Sequence, residues 1–165
     1  NKALQAVNLA INQYPFSPEL ITIKAQVLSS MEAFDEALEL LEQANSLQPN
    51  DADIALTIGS ILSMQGKHEA AIEYYEKSLL FADDKDEVYY SIGLAYQSME
   101  RYEEAIDSYK KSVEININHD GSLYELAYCL DVTGQLEGSI EYYQKFIDED
   151  PYSAAAWYNL GIVYN

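Results

Sequence analysis

Tyr89-Tyr90-Ser91-Ile92-Gly93-Leu94-Ala95-Tyr96, followed five residues later by Tyr102-Glu103-Glu104-Ala105-Ile106-Asp107-Ser108-Tyr109, is the stretch on which the fold turns. The block Asp86–His119 that contains it lands on Asp120–Ser153 when shifted forward by 34 residues, and on Ala52–Lys85 when shifted back by 34. A fixed period of this length marks an array of stacked repeats, and it decides the architecture before any single residue is weighed.

Four full repeats follow from the register: 18–51, 52–85, 86–119 and 120–153. Residues 1–17 read as the second helix of a truncated repeat and 154–165 as the first helix of another, the whole forming a single array over 1–165. Repeat position 8 is small throughout (Ala25, Gly59, Gly93, Ala127, Gly161), and position 20 is Ala3, Ala37, Ala71, Ala105 and Ser139. Position 24 is large: Val7, Leu41, Tyr75, Tyr109 and Tyr143. Within each repeat the apolar residues recur on a helical period. They predict two helices of about 14 residues, for example Asp86–Met99 and Tyr102–Ile115. Gly66 and Gly134 stand just after their first helices, where a left-handed cap is wanted, and Glu32 and Glu100 fill the same slot less well. Ser17-Pro18 and Ser153 mark helix starts. Two antiparallel helices approach closely only where side chains are short, so the small positions 8 and 20 pair with the large positions around them. One such pair cannot bury both its faces, so neighbouring pairs must stack.

With these registers in place the chain resembles the tetratricopeptide repeat family. Trp157, Leu160, Gly161 and Tyr164 match the first half of the family signature, and Ala37, Leu41, Ala44 and Pro49 the second. The resemblance covers the whole chain. It implies an all-α, right-handed α-α superhelix, a solenoid of antiparallel helix pairs in which first helices line a concave groove. It also implies a scaffold that binds peptides or other proteins. Some positions depart from the pattern. Lys24 stands where a core leucine is expected, Asp83 and Ile117 replace the turn proline, and Gly138, Ser139 and Phe146 occupy packing positions in the fourth repeat. These last three predict a fourth helix pair that is splayed or repacked.

Composition narrows the function further. Hydrophobic residues make up 48% of the chain, enough for a core. A net charge of −19 argues against nucleic acid or an anionic membrane as partner. No apolar run approaches the length of a spanning helix. The chain begins at Asn1 and is read as an excised piece of a longer protein, cytoplasmic in location. One cysteine, Cys129, allows no internal disulfide and reads as core. His68 and His119 fall on turns and read as solvent-facing, with no spacing that suits zinc. No phosphate loop or nucleophile elbow is present, so no enzyme, no metal site and no cofactor are expected.

The candidate site lies on residues the scaffold does not need. Tyr90, Tyr124 and Tyr158 share position 5 on first helices, and Leu94, Tyr128 and Ile162 share position 9 on the same face. Leu56 and Met64 continue that face in the second repeat. Tyrosine suits a surface that is both apolar and hydrogen-bonding; the competing reading is that these rings pack on the neighbouring repeat. Among the nine basic residues only Lys24 lies on a first helix, whereas Asp53, Glu87, Glu125 and Asp131 are acidic, with Glu19 equivalent in the first repeat. A negative, aromatic groove excludes the clamp for acidic tails and the RNA-binding superhelices of related arrays, because both require bases. The expected partner is therefore a basic, apolar protein segment, with Glu87, Glu125 and Asp131 selecting Lys or Arg. The alternative is a spacer or self-assembly element, a homo-oligomer paired through end helices. It would use exposed faces such as Leu4, Val7 and Ile11, and Trp157, Leu160 and Tyr164.

Overall fold

The computed structural model describes residues 2–165. Ten helices and no strand occur among them: α1 (Lys2–Gln13), α2 (Pro18–Ser29), α3 (Phe34–Leu47), α4 (Ala52–Met64), α5 (His68–Leu79), α6 (Asp86–Ser98), α7 (Tyr102–Ile115), α8 (Asp120–Val132), α9 (Leu136–Glu149) and α10 (Ala154–Val163). They form two compact units, one ending at Asp83 and one running Asp84–Asn165. The fold is a helical solenoid.

Local chemistry sets the helix ends. Ser17 Oγ accepts from the Leu20 amide at 3.3 Å, with Pro18 at the first helical position, and Asp51 accepts from the Ile54 amide at 2.9 Å. Ser153 Oγ accepts from the Ala156 amide at 3.4 Å. Each cap satisfies one of the amides that a helix start leaves unpaired. Four first helices end alike. Ala33, Lys67, Arg101 and Gln135 donate their amides to Leu28, Leu62, Tyr96 and Leu130 carbonyls, at 2.8–3.0 Å. The residue before each donor turns left-handed: Glu32 at φ 62°, Gly66 at 75°, Glu100 at 58° and Gly134 at 76°. A side chain in that region costs energy that glycine does not. Replacing Glu100 by Gly is therefore expected to stabilise the chain by about 1 kcal/mol, read as a higher denaturant midpoint with an unchanged slope; a lower midpoint would contradict it.

In the first unit, Ile21, Ala25 and Leu28 of α2 meet Ala37, Leu41 and Ala44 of α3 and Ile54, Ile58 and Ile61 of α4. In the second unit, Ala105, Ile106, Tyr109 and Val113 of α7 pack with Leu123, Leu126, Cys129 and Leu130 of α8. Ala127, Tyr143, Ile147, Ala156 and Leu160 then join α8, α9 and α10. Small residues allow these contacts. Ala25, Ala37, Ala71 and Ala105 have no exposed surface, and a Cβ on Gly59 would lie 2.5 Å from Tyr75 Cε1.

The fourth helix pair stays packed at its departing positions. Tyr143 and Ile147 stay buried. Gly138 lets Leu130 approach, since a Cβ there would lie 3.3 Å from Leu130 Cδ1. Phe146, too large for its slot, turns its ring onto Tyr124, with centroids 5.4 Å apart.

Two expectations need correction. Val7 and Leu160 are buried, at 6% and 5%, because α1 packs on α2 and α10 on α9. Trp157 and Tyr164 are open as expected, Leu4 and Ile11 are half-buried, and Leu9, Tyr14, Phe16, Tyr158 and Ile162 are open as well. Nor is His119 a solvent-facing turn residue. Only 13% of its side chain is exposed. Its Nδ1 caps α8 by accepting from the Ser122 amide at 3.1 Å, and its ring lies 4.9 Å from that of Tyr90. A histidine at an N-cap faces the helix it starts, so its place on a turn did not put it in water.

Candidate functional site

Each first helix presents one stripe that its own pair does not cover. In the first unit the stripe belongs to α2 and α4. Thr22 and Thr57 donate their hydroxyls to the Pro18 and Asp53 carbonyls, at 2.9 and 2.7 Å, and the Gln26 amide donates to Thr57 Oγ1 at 3.3 Å. Beside them lies a depression of about 260 Å³ lined by Glu19, Ile23, Asp51, Asp53 and Leu56, among others. Its charged groups are all carboxylates, set among apolar Ile23, Ile54 and Leu56 and polar Thr22, Gln26 and Thr57. Leu56 belongs to it. Met64 does not: it stands at the far end of α4, exposed, with its sulfur accepting from Ser29 Oγ at 3.8 Å.

The other eight candidates lie in the second unit. Tyr90 is half-buried. Its ring sits 5.9 Å from that of Tyr109 and rests over Gly121, where a Cβ would lie 2.9 Å from Tyr90 Cζ. Leu94 and Tyr128 are half-buried against the same core. Tyr124 is also half-buried. Its ring centroid lies 5.9 Å from Tyr143, and its hydroxyl accepts from Asn159 Nδ2 at 3.0 Å. Tyr90 and Tyr124 thus take part in packing between successive helix pairs and keep only part of each ring open. Tyr158, on α10, is 69% exposed.

The carboxylates differ among themselves. Glu87 Oε2 meets His119 Nε2 at 3.2 Å. Glu125 is half-buried, and its Oε2 accepts from Gln97 Nε2 at 2.8 Å. Asp131 is half-buried one turn and a half further along α8. Gln97 ties this face to the core. Its Oε1 accepts from the Tyr109 hydroxyl at 2.6 Å and from Cys129 Sγ at 3.4 Å. The sequence gives Gln97 no role and reads His119 only as a turn residue. Gln97 had a signal, since it falls on the i, i+4, i+7 stripe of Tyr90 and Leu94.

Electrostatics follow the geometry. Burial, then the charges of Glu125 and Glu87, raises Tyr90 above the ordinary phenol range. Burial first and Glu125 second push Cys129 up to about 12. Its thiol is fully buried. The folded chain is therefore expected to resist a disulfide-exchange reagent at pH 8 and to react fully in denaturant; rapid reaction under native conditions would contradict the placement. The carboxyl of Asp86 is held low, chiefly by the Asn116 amide donating to it at 2.8 Å. Among the described residues no group of three or more His, Cys, Asp or Glu could hold a metal ion, and no helix is long and apolar enough to cross a membrane.

An all-helical chain in which successive helices pack as pairs, with small residues where the helices of a pair meet, defines a helical repeat scaffold. Three tetratricopeptide repeat models match residues 18–51, 50–118 and 90–154. The chain belongs to the tetratricopeptide repeat family. Solved structures share the fold. YrrB, a tetratricopeptide protein with an unusual peptide-binding site, is 23% identical with a TM-score of 0.78, over 98% of this chain and 84% of that one. PilW, a type IV pilus biogenesis factor, is 18% identical with a TM-score of 0.86, over 97% and 76%. MamA is 20% identical with a TM-score of 0.77, over 92% and 88%. No curated protein matches the sequence.

Proposed function

We propose that the chain is a protein-interaction scaffold whose first-helix stripes hold a basic, apolar segment of a partner. The observation that carries this reading is the chemistry of the stripe in both units. The first helices of the second unit carry acids and partly open tyrosines and no base at all, and the depression between α2 and α4 is lined by Glu19, Asp51 and Asp53 over Ile23 and Leu56. Such a surface attracts cations from a distance and offers apolar area on contact. Family membership supports it, and so does the peptide-binding site named for YrrB, which shares the fold. Tyr90, Leu94, Tyr124, Tyr128 and Tyr158 supply apolar contact; Glu87, Glu125 and Asp131 supply charge. The 34-residue repeats bounded at 18, 52, 86 and 120 would be the units that set these residues at even spacing.

Titrating the chain with a peptide rich in Arg and Tyr, and with its counterpart carrying Glu for Arg, tests the reading. The basic peptide is expected to bind about tenfold or more tightly than the acidic one, with a gap that narrows as salt rises. Equal affinities, or a gap that ignores salt, would remove the proposal.

A second reading rests on the open side chains of α10. Trp157 and Tyr158 are 54% and 69% exposed. The Trp157 indole N–H donates to the Pro151 carbonyl at 3.0 Å, which satisfies its polar atom and leaves the exposed part of the ring apolar. Self-association through this end would make the molar mass depend on concentration and would be abolished by Trp157→Ser; a constant monomer mass would discard it.

A further inference from the structure

Resting on that reading, we infer that Glu125 is the carboxylate that selects one guanidinium or ammonium group of the partner, and that Gln97 is a positioning residue that aims it. Of the three candidate carboxylates in the second unit, Glu87 is largely exposed and already engaged by His119. Glu125 is different. It is half-buried, it joins none of the ion pairs among the described residues, and its one hydrogen bond comes from Gln97.

That bond cannot be reversed without loss. Gln97 Oε1 already accepts from Tyr109 Oη at 2.6 Å and Cys129 Sγ at 3.4 Å, both on fully buried residues. Turning the amide over would set its oxygen against the Glu125 carboxylate, two acceptors with no proton between them, and would force the Tyr109 hydroxyl to give up its donor bond. Nε2 therefore has to face Glu125, and the carboxylate is held in one orientation by a network anchored in the core. Its charge reaches inward as well. After burial, Glu125 is the next cause raising Tyr90, Tyr109 and Cys129. A half-buried negative charge without a counter-ion is costly, and a ligand cation relieves that cost where a neutral group does not. Tyr128, one turn along α8 from Glu125, and Tyr90 and Leu94, on the Gln97 stripe of α6, provide ring faces and apolar area for the stem of such a side chain.

The test uses the whole 165-residue chain. Two probes are titrated by amide chemical shift: acetyl-Tyr-Arg-Tyr-amide, and the same tripeptide with citrulline, a neutral group of equal shape, in place of arginine. The arginine probe is expected to bind about tenfold more tightly than the citrulline probe. Glu125→Gln, which can still accept from Gln97, is expected to bring that ratio down to about one, chiefly by weakening the arginine probe. Gln97→Met is expected to cut the ratio by roughly threefold through loss of orientation alone. Tyr109→Phe, which frees the amide of Gln97, serves if Gln97→Met does not fold, and is expected to act in the same direction. A ratio untouched by Glu125→Gln, or lost equally in Glu87→Gln, overturns the assignment while leaving a basic-peptide scaffold standing. A ratio lost in Glu125→Gln but intact in both Gln97→Met and Tyr109→Phe overturns the positioning role alone. Binding of neither probe to the first helices overturns the scaffold reading and this inference with it.

Discussion

Gly93→Ala is expected to destabilise the second unit by about 2 kcal/mol, although alanine is the better helix former by about 1 kcal/mol. The Tyr109 ring decides the sign. A Cβ on Gly93 would lie 2.6 Å from Tyr109 Cδ1 and 2.8 Å from Cζ, with Cε1 closer still. The ring cannot swing aside. It has no exposed surface, its hydroxyl is bonded to Gln97, and the Tyr90 ring lies 5.9 Å away. Overpacking a site of this kind costs on the order of 3 kcal/mol, which outweighs the gain in propensity. Gly161 is the control, because it occupies the same repeat position and a Cβ there would meet nothing within 4 Å. Gly161→Ala is expected to stabilise α10 by about 0.5 kcal/mol. Thermal unfolding followed by circular dichroism checks both. A Gly93→Ala chain as stable as the parent would mean that the close approach of α6 and α7 is not what this glycine serves.

Tyr109→Phe and Tyr143→Phe are expected to change stability in opposite directions, although both tyrosines hold repeat position 24 and both are fully buried. The Tyr109 hydroxyl donates to Gln97 at 2.6 Å. Removing it leaves Gln97 Oε1 with only the weak thiol donor of Cys129, at a cost of about 1.5 kcal/mol. The Tyr143 hydroxyl has no hydrogen-bond partner among the described residues. The Asn159 amide lies close enough to the Tyr143 hydroxyl to offset part of the effect of burial on it, but it donates its hydrogen bond to Tyr124. Replacing Tyr143 by phenylalanine therefore removes an unsatisfied buried group and is expected to stabilise the chain by about 1 kcal/mol. Denaturant midpoints measure both, and a loss of equal size in the two variants would show that the hydroxyls, paired or not, contribute alike.

These two comparisons mark what the sequence made legible. The helical period of the apolar residues predicted paired helices, and the second helix expected at Tyr102–Ile115 is found with those bounds. Helix ends were legible because caps are local: Ser17, Ser153, Gly66 and Gly134 act within four residues of themselves. The pairing of small position 8 with large position 24 was legible because it repeats. What escaped the reading depends on contacts between residues far apart in the chain. Gln97 meets Glu125 across 28 residues, and His119 meets Glu87 across 32. Each such pair occurs in one repeat only, so no period announces it. The burial of Val7 and Leu160 escaped for a related reason. A half repeat still lays one face on its neighbour, and the sequence alone does not say which side chains that face contains. The role of the tyrosines lies in between. Position 5 placed Tyr90 and Tyr124 on the open stripe, whereas Gly121 and Phe146, which draw their rings partly into the packing, are departures from the repeat.

The central claim is that a basic, apolar segment lies along the first-helix stripe. A peptide rich in Arg and Tyr, carrying a nitroxide at one end, tests it most directly when added to the isotope-labelled chain. Signals of Leu94, Tyr124 and Tyr128 are expected to broaden, most strongly nearest the label, and to recover when salt is raised. Broadening confined to Tyr74 and Tyr142, on the second helices α5 and α9, would contradict it.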